Sequence, residues 1–356
     1  MTKKKIWAAL CLTLLGIASA PAQTRPANDL TTLPALQRVA AALLHGRQGS
    51  IVAIRPGTGE VLCMASSSTS ASQINRAITG IYAPGSTFKT AQALTLLSEG
   101  IVNPEATFAC NGGFTIGKTH VGCHKHKSLL NITGALAQSC NAWFCQAFMG
   151  MIGDTEQYGS REEAMNTWYD YMRSMGFGHT LGIDMNHEAA GQIPDGTWMT
   201  EHYGADWDER RAMFLGMGQG PMTVTPLQLC NLAATIANRG TFFTPHIHRS
   251  SAKANPTKYA TRHWSKARRD AYETVVRGMR QAVLYGTCSG INTRAYAICG
   301  KTGTVENGGN DHSAFIGFAP MDRPQIAVAV FIEHAGFGAD VAAPMAAKII
   351  REYMRK

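Results

Sequence analysis

Three short groups of hydroxyl, ammonium and amide side chains follow one another along the chain, and their types are those of an acyl-transfer site. The first is Ser86-Thr87-Phe88-Lys89. Residues three apart lie on one face of a helix, so the Ser86 hydroxyl and the Lys89 amine can meet. A serine hydroxyl is a weak nucleophile at neutral pH and needs an adjacent base; a lysine serves only where desolvation or cationic neighbours lower its pKa. Ala83-Pro84-Gly85 precedes the group and stops whatever comes before it. Ser86 therefore sits at a helix N-terminus, where its backbone N–H is suited to stabilising an oxyanion. The second group is Ser139-Cys140-Asn141, whose hydroxyl can relay a proton and whose amide can hold a peptide group through donor and acceptor together. The third is Lys301-Thr302-Gly303-Thr304. Lys301 offers charge and Thr304 a hydroxyl to a substrate carboxylate, with Thr302 in the same set, and Gly303 lets a substrate backbone approach a strand edge.

Several elements must hold these groups. Leu30, Leu33, Leu36, Val39, Ala40, Leu43 and Leu44 predict an amphipathic helix over residues 28–45. Two β-rich runs, 50–55 and 60–65, flank Pro56-Gly57-Thr58-Gly59 and predict a hairpin. Residues 87–99 read as the helix that Ser86 opens. The stretch 130–285 is rich in Ala, Met and Leu and reads as helices and loops, with Thr225-Pro226 opening one of them over 225–238. Strand-like runs at 294–302, 313–318 and 326–332 precede a closing helix at 342–355. Strands thus come from both ends and helices from the middle, which makes a single α+β domain with one sheet assembled from the two ends.

S-x-x-K alone is a weak signal, since it recurs at residues 250–253 in a polar stretch with no preceding Pro-Gly. S-x-N and K-T-G each occur once, 53 and 215 residues after Ser86. In that order the three motifs are the signature of penicillin-binding proteins and serine β-lactamases, with Cys140 where an Asp is otherwise found. Longer segments resemble class B penicillin-binding proteins of the cell-elongation machinery. They are Ala83-Pro84-Gly85-Ser86-Thr87-Phe88-Lys89, Asn75-Arg76-Ala77, Ser139-Cys140-Asn141-Ala142-Trp143-Phe144, Gly218-Gln219-Gly220 with Thr225-Pro226-Leu227-Gln228, and residues 300–304 and 311–320. The resemblance implies a five-stranded antiparallel sheet flanked by helices, beside a helical subdomain, with the site between them. It implies Ser86 as nucleophile, Lys89 as base and Ser139 as relay, with Asn141, Lys301, Thr302, Gly303 and Thr304 binding substrate. The implied substrates are peptidoglycan stem peptides ending in D-Ala-D-Ala, with β-lactams as inhibitors and cell-wall synthesis proteins as partners. Against the family pattern, no pedestal domain precedes the first strand run, so residues 23–356 are expected to be a stand-alone transpeptidase domain.

Three alternatives use the same serine. Water as acceptor would make a D,D-carboxypeptidase. A serine β-lactamase shares the S-T-F-K tetrad in one class, but that class has a hydrophobic residue where Asn141 stands, and no deacylating base is visible. A β-lactam sensor that does not turn over would be expected to carry a transmembrane signalling domain.

The remaining features are accessory. Residues 1–5 are short and basic, residues 6–18 almost wholly apolar, and Ala20-Pro21-Ala22 offers a cleavage site, so residues 1–22 read as a signal peptide and the protein as exported to the periplasm or the outer face of the cytoplasmic membrane. The formal charge of +9 includes Lys3, Lys4 and Lys5, and no basic run with interleaved aromatics occurs in the body, which excludes a nucleic-acid partner. No cofactor is implied: Gly216-Met217-Gly218-Gln219-Gly220 lacks a preceding strand and runs into Pro221, so it is not a phosphate loop. His312 beside Asp311 reads as structural, and Trp143 and Phe144 as core. Export makes Cys110–Cys123 and Cys288–Cys299 the natural disulfide expectations. The first has a rival in a zinc site of Cys110, Cys123, His124 and His126, although the spacing matches no standard zinc motif.

Overall fold

The strand runs near the two ends are mostly apolar, with Lys301, Thr302 and Thr304 the chief exceptions, and nearly every residue in them is buried, as strands covered on both faces require. In the computed structural model, which describes residues 28–67 and 74–355, they form one antiparallel sheet. The expected leader at residues 1–22 lies outside the described residues. The sheet consists of β1 (Gly49–Ile54), β2 (Val61–Ser66), β9 (Cys299–Val305), β10 (His312–Ala319) and β11 (Ile326–Ile332), in the order β2-β1-β11-β10-β9. Side chains alternate between faces along each strand. Ile51, Val328, Val330 and Phe315 pack on one side with α1 (Pro34–Leu44) and the helix Ala342–Met354. Val52, Ala329, Phe331 and Ile316 pack on the other with the fully buried helix Pro226–Ala237 and the helical subdomain. That helix starts at Pro226 as expected, and a capping box of Thr225 with Gln228 secures its first turn.

The subdomain contains α2 (Arg76–Thr79), α3 (Lys89–Ser98), α4 (Ile132–Gln138), α5 (Asn141–Gly153) and later helices. Between α3 and α4, ahead of the stretch expected to be helices and loops, lie four short strands: β3 (Phe108–Ala109) pairs with β6 (Leu129–Leu130), and β4 (Gly113–Ile116) with β5 (Thr119–Gly122). A further pair, β7 (Thr241–Phe243) and β8 (Arg262–Trp264), lies beyond the helix Pro226–Ala237. No helix among the described residues is long and apolar enough to cross a membrane.

Two boundaries differ from expectation for local reasons. Leu33 is extended because Pro34 follows it, so the first helix starts at Pro34 and Leu33 N–H instead donates to Leu62 O at 2.8 Å. The third strand run starts at Cys299, five residues later than the apolar pattern began. The eight cysteines of the described residues are all free thiols. Cys288 and Cys299 do not pair because they belong to opposite sides of the sheet, Cys288 to the core beneath α1 and Cys299 to that of the helical subdomain.

Candidate active site

Ser86 lies in a 3-10 turn, Gly85–Phe88, that runs directly into α3, so the expected helix N-terminus is present with a tighter first turn. The turn is seated by glycines. Gly85 has φ +55°, and a Cβ on it would come within 2.9 Å of Thr304 O on β9. A Cβ on Gly218 would come within 2.1 Å of Gly85 O, which explains the glycine-rich segment: it buttresses the turn that carries Ser86. Gly85 N–H donates to Gly218 O at 2.9 Å. Phe88 then anchors the helix in the core against Phe177 and Trp168.

Lys89 is wholly buried beneath the serine. Its Nζ lies 3.0 Å from Ser86 Oγ, 2.8 Å from Ser139 O and 2.5 Å from Asn141 Oδ1. Burial pulls its pKa from 10.5 down to about 8, although the neighbouring thiols of Cys145, Cys123 and Cys140 oppose the shift. The geometry accommodates both protonation states. As an ammonium, Lys89 has three acceptors for three protons. As an amine, it keeps the bonds to Ser139 O and Asn141 Oδ1 and turns its lone pair to the Ser86 hydroxyl. In that second state the geometry is that of an amine able to take the proton of the hydroxyl.

Ser139 closes α4 in the left-handed conformation, φ +55°, an uncommon setting for a residue with a side chain. Its hydroxyl lies 3.5 Å from Lys89 Nζ and accepts from Lys301 Nζ at 2.7 Å. Lys301, on β9, also donates to Thr302 O at 3.0 Å. The ammonium expected to face a substrate carboxylate is therefore turned inward and wholly buried. Burial, reinforced by the Lys89 charge, holds it well below the usual lysine range. Ser86, Lys89, Ser139 and Lys301 form one continuous polar chain from the Ser86 hydroxyl to β9.

Above this chain is a cavity of about 510 Å³ whose walls include Ser86, Ser139, Asn141, Thr302 and Thr304. Lys89, Lys301 and Gly303 lie behind the wall. A Cβ on Gly303 would come within 2.9 Å of Thr87 Cγ2, so its smallness serves the packing of β9 on the Ser86 turn. Thr287 and the exposed Phe337 also line the cavity, as do Glu306, Asp311 and Asp340. Thr287 carries no motif, and a Gly-Thr pair after a helix is an ordinary helix ending, so its place was invisible in the sequence. His312 is structural, as expected: it accepts from His334 N–H at 3.0 Å and packs edge-on to Tyr82. Trp143 and Phe144 are core.

The donor atoms of Cys110, Cys123, His126 and Cys140 lie within 4.8 Å of one another. The expected Cys110–Cys123 disulfide is thus replaced by a cluster of thiols. Its third thiol is supplied by Cys140 of the S-x-N motif, which no spacing rule connects to the other two. His126 belongs to the cluster and the exposed His124 does not. His126 Nδ1 faces Lys127 O at 2.6 Å, which leaves Nε2, 3.3 Å from Cys123 Sγ, as the free lone pair. The hydrogen bond from Cys140 is the leading cause holding the Cys123 thiol down; the same bond and burial push Cys140 up. Three thiols and one imidazole are the donor set and number of a tetrahedral zinc site. The cluster ties the β4–β5 hairpin to the site, where Asn141 Nδ2 also donates to Gly122 O at 3.0 Å.

Residues 49–351 match the family described as Penicillin binding protein transpeptidase domain. The peptidoglycan D,D-transpeptidase MrdA of Acinetobacter baumannii is 32% identical, over 87% of this chain and 52% of its own length. That of Haemophilus influenzae is 26% identical, over 96% of this chain and 58% of its own. The chain spans about half the length of these curated relatives. Among solved structures, Pseudomonas aeruginosa PBP2 in complex with WCK 5153 is similar at a TM-score of 0.80 and 29% identity, covering 92% of this chain and 75% of that one.

Proposed function

The chain belongs to the penicillin-binding protein transpeptidase domain family, and on that premise we propose that it is an exported peptidoglycan D,D-transpeptidase acylated at Ser86 by stem peptides ending in D-Ala-D-Ala and inhibited by β-lactams. The observation that carries the reading is Lys89 Nζ, wholly buried, 3.0 Å from Ser86 Oγ and with acceptors for its two other protons. Neutral Lys89 takes the Ser86 proton as Oγ attacks the carbonyl of the penultimate D-Ala. The tetrahedral oxyanion is stabilised by the N–H groups of Ser86 and Thr304, each worth ~3–4 kcal/mol in sites of this kind. The departing amine of the terminal D-Ala receives a proton through Ser139, which the two lysines flank, and D-Ala leaves. A neighbouring stem-peptide amine then attacks the acyl-enzyme ester, releasing Ser86 and forming the cross-link. Asn141, Thr302 and Thr304 line the cavity where the donor peptide would lie. Cell-wall synthesis proteins are its proposed partners.

Cys110, Cys123, His126 and Cys140 would hold a zinc ion in a structural role, fixing the S-x-N turn against the β4–β5 hairpin. Zinc in such a closed site supplies rigidity to its ligands and takes no part in the acyl transfer.

The test is intact-mass analysis with benzylpenicillin. The expected outcome is a single adduct that persists for many minutes and is absent from Ser86→Ala. An adduct on Ser86→Ala, or none on the unaltered protein, overturns the assignment. Rapid turnover of the adduct would mean a β-lactamase. A pentapeptide assay with and without an amine acceptor then separates cross-linking from simple hydrolysis.

A further inference from the structure

The thiol cluster touches the catalytic cavity through one of its members. Cys110 and Cys140 are buried, at 3% and 0% exposure, whereas Cys123 is half-buried and stands in the cavity wall beside Ser139 and Asn141. We infer that Cys123 is a site of oxidative modification: a peroxide that enters the cavity joins it to Cys140 in a disulfide, which distorts the S-x-N turn and slows acylation of Ser86. The effect on acylation rests on the transpeptidase reading above; the disulfide does not.

Access and proximity choose the pair. An oxidant that reaches the cavity meets Cys123 first. Its Sγ forms a bond to one peroxide oxygen as the O–O bond breaks, and the thiol proton leaves with the other oxygen as water. Cys123 is then a sulfenic acid. Of the two buried thiols, Cys140 is the one hydrogen-bonded to Cys123. Its Sγ attacks the oxidised sulfur, the S–O bond breaks, and the Cys140 proton leaves with the hydroxyl as a second water. Two thiols are oxidised and one peroxide is reduced to two waters. Outside the cytoplasm, where the chain is proposed to act, no cytosolic thiol pool keeps such a pair reduced. The disulfide would leave only Cys110 and His126 of the donor set, too few for a tetrahedral metal site, so oxidation and zinc are alternatives at this cluster.

The bridge acts on the site because of what flanks Cys140. On one side Ser139 O accepts from Lys89 Nζ at 2.8 Å, and on the other Asn141 Oδ1 accepts from it at 2.5 Å. Asn141 Nδ2 also donates to Gly122 O, next to Cys123, at 3.0 Å. Cys140 Sγ itself accepts from Trp143 N–H at 3.4 Å, capping α5. A disulfide sets its sulfurs about 2 Å apart, closer than free thiols lie, so the S-x-N turn and the end of β5 must be drawn together. Two of the three acceptors around Lys89 move with that turn.

The experiment treats the full chain with hydrogen peroxide and follows intact mass, the peptides joined after digestion without reductant, and the rate of penicillin labelling before and after dithiothreitol. The expected result is loss of two hydrogens, a peptide holding Cys123 joined to one holding Cys140, and labelling slowed ~10- to 100-fold, the scale of a misplacement near 1 Å. Dithiothreitol should restore the rate, which separates the bridge from oxidation of Met217 in the same cavity, a lesion that needs an enzyme for its repair. Each variant is compared with its own untreated rate, with melting temperature recorded. Cys123→Ser should show no reversible slowing. Cys110→Ser, which also loses a cluster thiol but keeps the reacting pair, should still show it. Where a variant does not fold, the peptide map of the unaltered protein decides. A Cys110–Cys123 bridge, oxidation of Cys123 without a bridge, or a Cys123–Cys140 bridge with unchanged labelling would each overturn the inference. Failure of the untreated, unaltered protein to be labelled overturns the transpeptidase reading instead, and the mass and the peptide map still report on the disulfide.

Discussion

If Ser86 is acylated as proposed, the pH dependence of that step follows from the burial of one lysine. Lys89 titrates at about 8 instead of 10.5, a displacement caused chiefly by burial. Only the neutral amine can take the Ser86 proton. At pH 7 a lysine of ordinary pKa would be neutral in ~0.03% of molecules, whereas one at about 8 is neutral in roughly 10%, a gain of about 300-fold in competent enzyme. The sign of the stability effect follows from the same shift. Between about 8 and 10.5 the folded state binds fewer protons than the unfolded chain, so stability rises with pH through that window; below it the folded state bears the full penalty, roughly 3 kcal/mol. The assay is the second-order rate of labelling by a fluorescent penicillin between pH 5.5 and 10. The logarithm of the rate should climb with unit slope and level off near 8. Lys89→Arg, charged throughout this range, should lose 10²–10⁴-fold at every pH. A flat profile, or a midpoint near 10.5, would refute the reasoning, because either would mean that the amine beside Ser86 is not the base that limits the rate.

Two other perturbations address how the site is held. Gly85→Ala places a Cβ within 2.9 Å of Thr304 O at a backbone φ of +55°, and should cost ~1–3 kcal/mol of stability together with most of the acylation rate, read by thermal unfolding and penicillin labelling. Full stability with unimpaired labelling would show that the turn is not constrained as described. For the thiol cluster, elemental analysis of the purified protein should find one zinc per chain. Cys110→Ser should lower that content and the melting temperature, and a chelator should make the β4–β5 hairpin sensitive to protease. Absence of zinc from protein purified in metal-replete medium would remove the metal from the account.

What was legible in the sequence was local. The i, i+3 spacing of Ser86 and Lys89, the turn between β1 and β2, and the helix start at Thr225-Pro226 are all set by residues a few positions apart, and each is present. Long-range placement was not legible. Nothing near Lys301 signals that its ammonium turns back to Ser139, because that depends on α4 ending beneath β9. Cys140 looked like an interchangeable middle residue of S-x-N, and joined Cys110 and Cys123 only because the hairpin folds onto the junction of α4 and α5. Thr287 lacked any signal, while Pro34 carried one: a proline after Leu33 marks where the first helix must start.

The inward turn of Lys301 changes what the three motifs are to one another. Two wholly buried lysines would repel each other and would each face a desolvation cost of several kcal/mol if left without partners. Ser139 relieves both. Its carbonyl accepts from Lys89 and its hydroxyl from Lys301, and the left-handed backbone at φ +55° is what presents the two oxygens in different directions. A middle motif on a flexible loop could not do this. Ser139 is held by α4 and α5 on either side, by Cys140 in the thiol cluster below, and by Gly286 and Thr287 packed on the Ala137 carbonyl. The depressed lysine pKa values are therefore a property of this framework as a whole. Loosening the cluster or the 286–287 contact should admit water, raise the Lys89 pKa toward 10.5 and move the acylation profile alkaline, without any change to Ser86 or Lys89 themselves.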